Sequence, residues 1–428
     1  VKYCNEKGIH VQAYSSLGTS SDTKFADQVA QLCLLKYAKF GKNGKPSEKE
    51  WTVLSGIVLK KNDGSLSLVA LATGTKCLGE IDLLNNEQYG EGCRLSDSHA
   101  EVLARRAFLR YLYEQIDVSL SGGKSDIFLL DDKQNIKLFE DTSFHFFTSQ
   151  TPCGDCSIFL KDESCETYVS PAKIKKCDYN NETEVITGST DKKGSQVLIK
   201  DIYRTGAKCV KTEKHQDPHL PGINYHVIGP LRTKPGRGNP TLSLSCSDKL
   251  AKWNILGVQG SLLSMLIPRI KLETIIVGGN TPFSLDAMER GLFKRFHENL
   301  CKVKIAQSRH SFKQQKDSER IHPCPSSIIW CAARTRDTEI AVEGRKQGAT
   351  KKKKGNNLLV TRRALFEMFL RICDKYQNFN CNIRHPKKIT YLDCKKWSKD
   401  YQRLWNALKS GSFDAWPSKP IRLQTFVL

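Results

Sequence analysis

Short apolar segments alternate with amphipathic ones along most of this chain, and this alternation limits the fold more than any other feature of the sequence. Segments rich in β-branched and aromatic residues, which are typical of buried strands, lie at 51–60, 65–73, 142–149, 271–279 and 326–333. Apolar residues at helical spacing predict helices at 25–40, 98–116, 247–266, 286–300, 361–376 and 393–410. We expect Asp97 or Ser98 to cap the second of these helices. Strands interleaved with helices in this way predict a layered α/β domain.

Composition narrows the class of protein. Apolar residues make up 39% of the 428 residues, which is enough for a substantial core. No run approaches the ~20 consecutive apolar residues that a membrane span needs, so we expect no membrane partner. The 16 cysteines do not cluster at the short spacings of a disulfide scaffold. The sequence therefore predicts a reduced intracellular protein of the cytoplasm, the nucleus or both.

The positive charge of the chain is large and uneven. The formal net charge is +22, and residues 342–428 carry 20 Lys or Arg against 6 Asp or Glu, which places +14 of that charge at the C-terminal end. Aromatic residues lie among these basic groups, at Tyr391, Trp397, Tyr401, Trp405 and Trp416. Basic and aromatic side chains together can hold phosphates and stack bases, although a solvated basic helix face has the same composition. The charge indicates a polyanionic partner.

Two short motifs have the spacing of a metal-dependent site. His99 and Glu101 lie at the predicted start of a helix, and Cys153 and Cys156 follow Pro152 directly after a predicted strand. Together they form the H-x-E…P-C-x-x-C signature of zinc deaminases, in which zinc activates a water and the glutamate transfers protons. Taken literally, the signature makes both cysteines ligands. Of the alternatives, a structural zinc clamp leaves the glutamate without a role, and a redox C-x-x-C pair leaves the H-x-E motif unused.

A wider resemblance extends these motifs over most of the chain. The blocks that carry it are TGTKCLGE (73–80), DSHAEVLARR (97–106), TPCGDC (151–156), DIYRTGAKCV (201–210), LRTKPGRG (231–238) and SLSCSDKLAKWNILGVQGSLLS (243–264). Together they resemble the tRNA-specific adenosine deaminases that modify position 37. They are similar, a little less closely, to the deaminase domain of the double-stranded RNA editing enzymes. The similarity runs from about residue 25 to the C-terminus and predicts an adenosine deaminase (editase) domain at 25–428.

Two segments stand apart from this domain. Residues 1–20 are similar instead to a strand-and-turn segment of the aldo-keto reductases. We therefore expect 1–24 to be an unrelated N-terminal segment outside the fold. Residues 171–200 are polar and poor in apolar side chains, which predicts a surface insertion in the domain.

The resemblance implies both the fold and the chemistry of the site. The expected fold is a three-layer, cytidine-deaminase-like α/β domain with a central mixed sheet flanked by helices, extended by C-terminal helices around a buried polyphosphate. In the family the third zinc thiolate comes from the S-C-S-D-K block. This implies one zinc ion on His99, Cys153 and Cys246, with Glu101 as the catalytic proton shuttle. From sequence alone, Cys156 remains the alternative to Cys246.

The family also buries one inositol hexakisphosphate, and its phosphates need many basic donors. Such donors are costly to bury without the counter-charge of the ligand. Trp405 stands where a lysine is expected in the C-terminal block. Position by position, the resemblance implies that the polyphosphate contacts Arg105, Arg106, Lys234, Lys249, Lys252, Trp253, Gln259, Ser261, Arg362, Tyr391, Lys395, Tyr401, Trp416 and Lys419.

The implied substrate is adenosine at position 37 of alanine tRNA, bound through the anticodon stem-loop by a monomer, with no role for DNA. Thr75 and Lys76 match the loop that approaches the target nucleoside, and Arg237 could reach the anticodon-loop backbone. The alternatives are a deaminase of double-stranded or other RNA and a catalytically silent RNA-binding subunit. The short LRTKPGRG segment favours the tRNA group, and the intact Glu101 favours an enzyme.

Overall fold

The computed structural model describes residues 20–84, 92–161, 167–169, 197–199, 201–236, 238–239, 241–296, 302–349, 357–376 and 389–428. Its strands are β1 Glu50–Trp51, β2 Leu54–Lys60, β3 Leu66–Thr73, β4 Thr75–Cys77, β5 Asp97–His99, β6 Phe128–Leu130, β7 Ile136–Leu138, β8 Ser143–Thr148, β9 Thr167–Val169, β10 Val197–Ile199, β11 Lys208–Cys209, β12 Arg232–Thr233, β13 Leu272–Val277, β14 Lys304–Gln307, β15 His322–Pro323, β16 Ser326–Cys331, β17 Thr338–Val342 and β18 Arg345–Lys346. Its α-helices are α1 Ser20–Ala38, α2 Glu80–Leu84, α3 Ala100–Leu120, α4 Cys246–Leu256, α5 Gly260–Leu263, α6 Leu285–Glu289, α7 Arg362–Lys375, α8 Tyr391–Lys396 and α9 Lys399–Lys409.

The central sheet has eight strands in the order β14-β13-β8-β2-β3-β16-β17-β18. Strand β13 runs parallel to both β8 and β14, whereas the pairings from β8 through β2 to β18 are antiparallel. In the middle of the sheet, Ile57 of β2 pairs with Ala70 of β3 on one side and with Phe146 of β8 on the other. The sheet is therefore mixed, as the family resemblance predicted.

Helices cover both faces of this sheet and make the fold a three-layer one. On β2, Leu54 and Val58 pack into the same apolar cluster as α1, whereas Ile57 and Leu59 pack into the larger cluster that contains α3. Both faces of the strand are therefore buried, and only Lys60 at its end is exposed. Helix α7 packs on α3.

The helix predicted at 247–266 is in fact two helices. Helix α4 ends at Leu256, and the next residue, Gly257, has a φ of +85°. A Cβ at that position would lie 2.1 Å from Gln259 Oε1, so only glycine fits the turn. Gln259 then accepts a hydrogen bond from Ile270 N at 3.0 Å and donates one to Leu256 O at 3.2 Å. The side-chain amide thus closes a break that apolar periodicity does not reveal.

The predicted cap of α3 was also wrong. The N-cap residue is His99, with φ −65° and ψ 142°, and its side chain makes no capping hydrogen bond. The cause is β5, which pairs with β4 through His99 and keeps the backbone extended up to the helix. Asp97 instead accepts a hydrogen bond from His99 N at 3.1 Å.

Several boundaries differ from the sequence prediction. Helix α1 begins at Ser20, earlier than expected, and the helix predicted at 393–410 is interrupted between Lys396 and Lys399. Helix α6 continues as a π-helical turn rather than as the α-helix predicted over 286–300. The strands β14 and β17 were not predicted, and β14 is an edge strand only four residues long.

Three predicted features fall largely outside the described residues. The segment 1–24 is described only from Ser20 onward, and the insertion at 171–200 only at β10. Arg237 lies outside them as well. In the part of the chain that the structure describes, no helix has both the length and the apolar character that crossing a membrane requires.

Candidate active site

The junction of β5 and α3 carries the H-x-E motif. His99 is the last residue of β5 and is half-buried. Helix α3 starts immediately after it, which places Glu101 in the first turn with only 3% of its surface exposed. An extended residue followed by a helical turn therefore directs both side chains into one interior space.

The Pro-Cys turn depends on glycine. Strand β8 ends at Thr148, and the chain then bends at Gly154, which has a φ of +103°. A Cβ on Gly154 would lie 2.2 Å from Ser245 Oγ, so a larger residue would push the two segments apart. A hydrogen bond of 3.0 Å from Ser247 N to Cys153 O holds the two segments together. The turn thereby brings Cys153 against the start of α4.

Three predicted ligands converge at this point. The ligand atoms of His99, Cys153 and Cys246 lie within 4.8 Å of one another. His99 Nδ1 is 3.5 Å from Cys246 Sγ and 3.9 Å from Cys153 Sγ. Cys246 N donates to Cys153 Sγ at 3.4 Å. One imidazole and two sulfurs around a common centre form a donor set that suits zinc.

Cys156 is turned away from this centre. Its Sγ lies 3.8 Å from Met288 O, and it is fully buried. The geometry therefore favours Cys246 over Cys156 as the third ligand.

Two polar atoms beside the three ligands have no hydrogen-bond partner in the part of the chain that the structure describes. Glu101 Oε2 and Thr75 Oγ1 are both buried and unpaired. Burial raises the pKa of the Glu101 carboxyl. Thr75 of β4 pairs directly with His99 of β5, and the neighbouring Lys76 is exposed. Orphaned buried oxygens beside an N, S, S donor set fit a site that holds zinc and a polar substrate.

Behind the three predicted ligands runs a chain of buried charges that is centred on Asp97. Lys234 Nζ lies 3.5 Å from Cys246 Sγ and 2.9 Å from Asp97 Oδ2, and Lys249 donates to the same Asp97 oxygen. Burial raises the pKa of the Asp97 carboxyl, but Lys234 and Lys249 outweigh it and hold the pKa well below its ordinary value. The aspartate was treated only as a helix cap, although its place two residues before the ligand histidine could have marked it.

Most of the basic residues predicted to contact the polyphosphate approach one another. Burial lowers the pKa of the Lys252 ammonium, and Lys395 and Arg105 lower it further. The same holds for Lys419, whose pKa is lowered by burial and then by Arg362. Like charges that depress one another's pKa values must lie close together without enough neighbouring acid. We call this group of Arg105, Arg106, Lys249, Lys252, Arg362, Lys395 and Lys419 the cationic cluster.

Aromatic rings line the cationic cluster. Lys252 Nζ lies 3.3 Å from the ring centroid of Trp405 and 4.7 Å from that of Trp416. The guanidinium of Arg105 lies 5.1 Å from the ring of Trp253. Cation–π contacts of this kind lower the free-energy cost of burying the charge, but they do not neutralise the charge.

Four more residues were predicted to contact the polyphosphate, namely Tyr391, Tyr401, Ser261 and Gln259. Tyr391 and Tyr401 border the cationic cluster, because Arg105 is an electrostatic neighbour of both phenols. Ser261 Oγ lies 2.7 Å from Ser398 Oγ and 3.2 Å from Lys395 O. Gln259 differs, because both ends of its amide are bonded to backbone at the break after α4.

A histidine and two cysteines around one point, with a buried carboxylate beside them, is the constellation of zinc deaminases that act on nucleobases. Residues 70–420 match the adenosine-deaminase (editase) domain, and the chain belongs to that family. The resemblance found in the sequence motifs is thus confirmed.

Relatives of known name cover the chain almost completely. The tRNA-specific adenosine deaminase 1 of Drosophila melanogaster is 35% identical over 422 residues, which are 93% of this chain and 96% of that protein. Its counterpart in Homo sapiens is 30% identical over 499 residues, covering 92% of this chain and 98% of the relative. The double-stranded RNA-specific editase of Drosophila melanogaster is 28% identical, covering 94% of this chain but 55% of that protein.

Proposed function

We propose that this protein catalyses zinc-dependent hydrolytic deamination of adenosine to inosine in tRNA, with adenosine 37 of alanine tRNA as the preferred target. The observation that carries the proposal is the convergence of His99, Cys153 and Cys246 beside the unpaired carboxylate oxygen of Glu101. Family membership supports RNA adenosine deamination as the reaction class.

The residues of the site have separate tasks. His99, Cys153 and Cys246 would hold one zinc ion, which as a Lewis acid lowers the pKa of water toward ~7. Glu101 takes one proton from the attacking water and delivers it to the adenine ring nitrogen, then transfers the second proton of that water to the amino group, which leaves as ammonia. Burial keeps this carboxyl away from bulk solvent and raises its pKa, which suits a group that must both accept and release a proton. Thr75, beside His99, is placed to contact the nucleoside.

The choice of tRNA over double-stranded RNA rests on the closeness of the likeness. The relatives named as tRNA-specific are 35% and 30% identical to this chain, whereas the double-stranded RNA-specific editase is 28% identical. The preference for position 37 and for alanine tRNA follows from the motif resemblance. A silent RNA-binding subunit is disfavoured, because it has no use for a buried, unpaired glutamate beside three metal-binding groups.

The cationic cluster would hold a polyanion, and the motif resemblance makes that polyanion inositol hexakisphosphate. Burying several Lys and Arg side chains without counter-charge is strongly unfavourable. Arg106 Nη2 is buried and has no hydrogen-bond partner among the described residues, which leaves it as an unsatisfied donor there. A polyphosphate supplies the missing acceptors and neutralises the charge.

The decisive experiment is incubation of the purified protein with a pool of unmodified tRNAs, followed by inosine mapping at nucleotide resolution. We expect inosine at position 37 of alanine tRNA in samples with wild-type protein. A perfectly paired RNA duplex tested in parallel should remain unmodified. Inosine in the duplex but in no tRNA would favour the editing alternative, and inosine in neither substrate would favour the silent subunit.

A further inference from the structure

An arginine is held flat against a tyrosine on the surface of this domain. The Cζ atom of Arg204 lies 3.9 Å from the ring centroid of Tyr225. The Arg204 side chain is 46% exposed, and its ion pair with Asp201 is long at 4.0 Å. The guanidinium therefore lies over the ring while nearly half of the side-chain surface stays open to solvent.

The tyrosine beneath the arginine is fixed by its neighbours. The rings of His219 and His226 pack against Tyr225 in T-shaped arrangements, with centroids 5.1 and 4.8 Å away. His226 is itself buried, and its Nδ1 lies 3.0 Å from Asp217 Oδ2. The ring is thus anchored to the interior, so the arginine plane above it is preorganised rather than freely rotating.

This stacked pair adjoins the candidate metal centre. Thr205, the residue after Arg204, accepts a hydrogen bond from Gly154 N at 2.5 Å. Gly154 is the residue after the ligand Cys153. Cys153 is half-buried, whereas Cys246 is fully buried. The backbone of Arg204 therefore lies one residue from a direct contact with the turn that carries Cys153.

We propose that Arg204, supported by Tyr225, is a stacking platform for the base of a nucleotide that flanks the target adenosine in single-stranded RNA. Guanidinium planes and aromatic rings are the surfaces on which proteins stack unpaired bases. A base within a duplex keeps both faces covered by its neighbours, so the platform selects an unpaired loop. The inference rests on the proposed function and deepens it by naming the structural class of the RNA.

The test compares variants of Arg204 on an anticodon stem-loop RNA that contains one target adenosine. Arg204→Ala should raise KM about 5- to 150-fold, with kcat little changed, since base stacking of this kind contributes roughly that factor. Arg204→Lys keeps the charge but loses the plane, so it should be impaired nearly as much. The matched control is Lys214→Ala, which removes an exposed charge from the same stretch of chain and should leave KM near wild type. Recovery of wild-type KM by Arg204→Lys would mean that only charge matters and would overturn the platform.

A second comparison removes the base instead of the side chain. On RNAs with an abasic site at the 5′ or 3′ neighbour of the target, one of the two should raise the wild-type KM by the same factor, and Arg204→Ala should then cost nothing further. Equal effects of Arg204→Ala on intact and abasic RNAs would refute stacking. Tyr225→Phe should behave as wild type, because the ring face is retained.

The outcomes separate this inference from the proposed function. A wild-type protein that deaminates no RNA at all would remove the proposed function. An active wild-type enzyme whose Arg204 variants match it would remove only the stacking platform. The zinc content and thermal midpoint of each variant verify that the fold is intact. If the Tyr225 variants fold poorly, the KM of Arg204→Lys still tests the inference.

Discussion

Lys234 places its ammonium nitrogen 3.5 Å from the sulfur of Cys246 although its side chain is only 1% exposed. Burial lowers the pKa of this ammonium, but Asp97 and Cys246 more than offset it and raise the pKa well above its ordinary value. Burial and Cys153 raise the pKa of the Cys246 thiol well above its ordinary value, and the ammonium of Lys234 opposes this rise, which favours the thiolate that binds zinc. Through Asp97 the same lysine is joined to Lys249 of the cationic cluster. The metal centre and the cluster therefore share one electrostatic network.

Replacing the glutamate should separate zinc binding from turnover. Glu101→Gln keeps the size and polarity of the side chain but cannot carry a proton. We expect zinc content and thermal midpoint to stay at wild-type values while kcat falls by about 10²- to 10⁴-fold or more. Inosine formation on tRNA and zinc analysis of the same preparation measure both quantities. Glu367→Gln, on an exposed part of α7, is the control and should be fully active. Substantial inosine formation by Glu101→Gln would remove the assigned role.

Single cysteine variants should identify the third ligand. Cys246→Ala removes a sulfur 3.5 Å from His99 Nδ1, so the purified protein should lose zinc and activity. Cys156→Ala should keep one zinc ion per chain and lose about 1 kcal/mol of stability, since it only opens a small space in the core. The measurement is metal content by mass spectrometry together with the thermal midpoint. The opposite pattern, with zinc lost only from Cys156→Ala, would exchange the two assignments.

The purified protein should carry a bound polyphosphate. Mass spectrometry of the denatured protein should release inositol hexakisphosphate in near-stoichiometric amount. Lys419→Gln, which removes one cation of the cationic cluster, should lower that amount and the thermal midpoint together. Lys399→Gln removes an exposed charge from the start of α9 and should change neither. Protein free of any polyphosphate but equally stable would leave the buried cations without their proposed counter-ion.

Low pH should reduce the stability that the Asp155 carboxylate gives to the Pro-Cys turn. Burial raises the pKa of the Asp155 carboxyl, but Arg295 and Arg290 outweigh it and hold the pKa below its ordinary value. An unfolded aspartate titrates near ~3.9. The carboxylate therefore stabilises the fold above about pH 4, and this contribution is lost as the pH falls through the lower folded pKa.

The corresponding substitution tests that sign. Asp155→Asn should destabilise the protein by about 1–3 kcal/mol near pH 7, because Arg290 Nε loses the buried carboxylate that pairs with it. The difference in thermal midpoint from wild type should shrink as the pH falls below about 3.9, where the carboxyl of the unfolded wild-type chain takes up a proton. Asp414→Asn, at an exposed position, should show no such pH-dependent difference. A deficit that grows toward acid pH would contradict the assigned direction of the pKa.

Local sequence patterns determined much of this protein, because they depend on neighbours a few residues apart. The apolar runs at 65–73 and 326–333 are strands of the central sheet, and the spacing of His99 and Glu101 suffices to place both at a helix start. The basic residues of the cationic cluster were also named from their motifs. What the patterns could not show was how distant segments meet.

Only the tertiary structure decided which cysteine faces His99. Cys156 is three residues from Cys153 in the chain, but the bend at Gly154 turns it toward Met288. Cys246 is far away in sequence, yet a hydrogen bond from Ser247 N to Cys153 O brings the start of α4 against the turn. A bend of a single residue and a contact between remote segments leave no periodic signal in the sequence, because their energies come from packing and hydrogen bonds that exist only in the assembled fold.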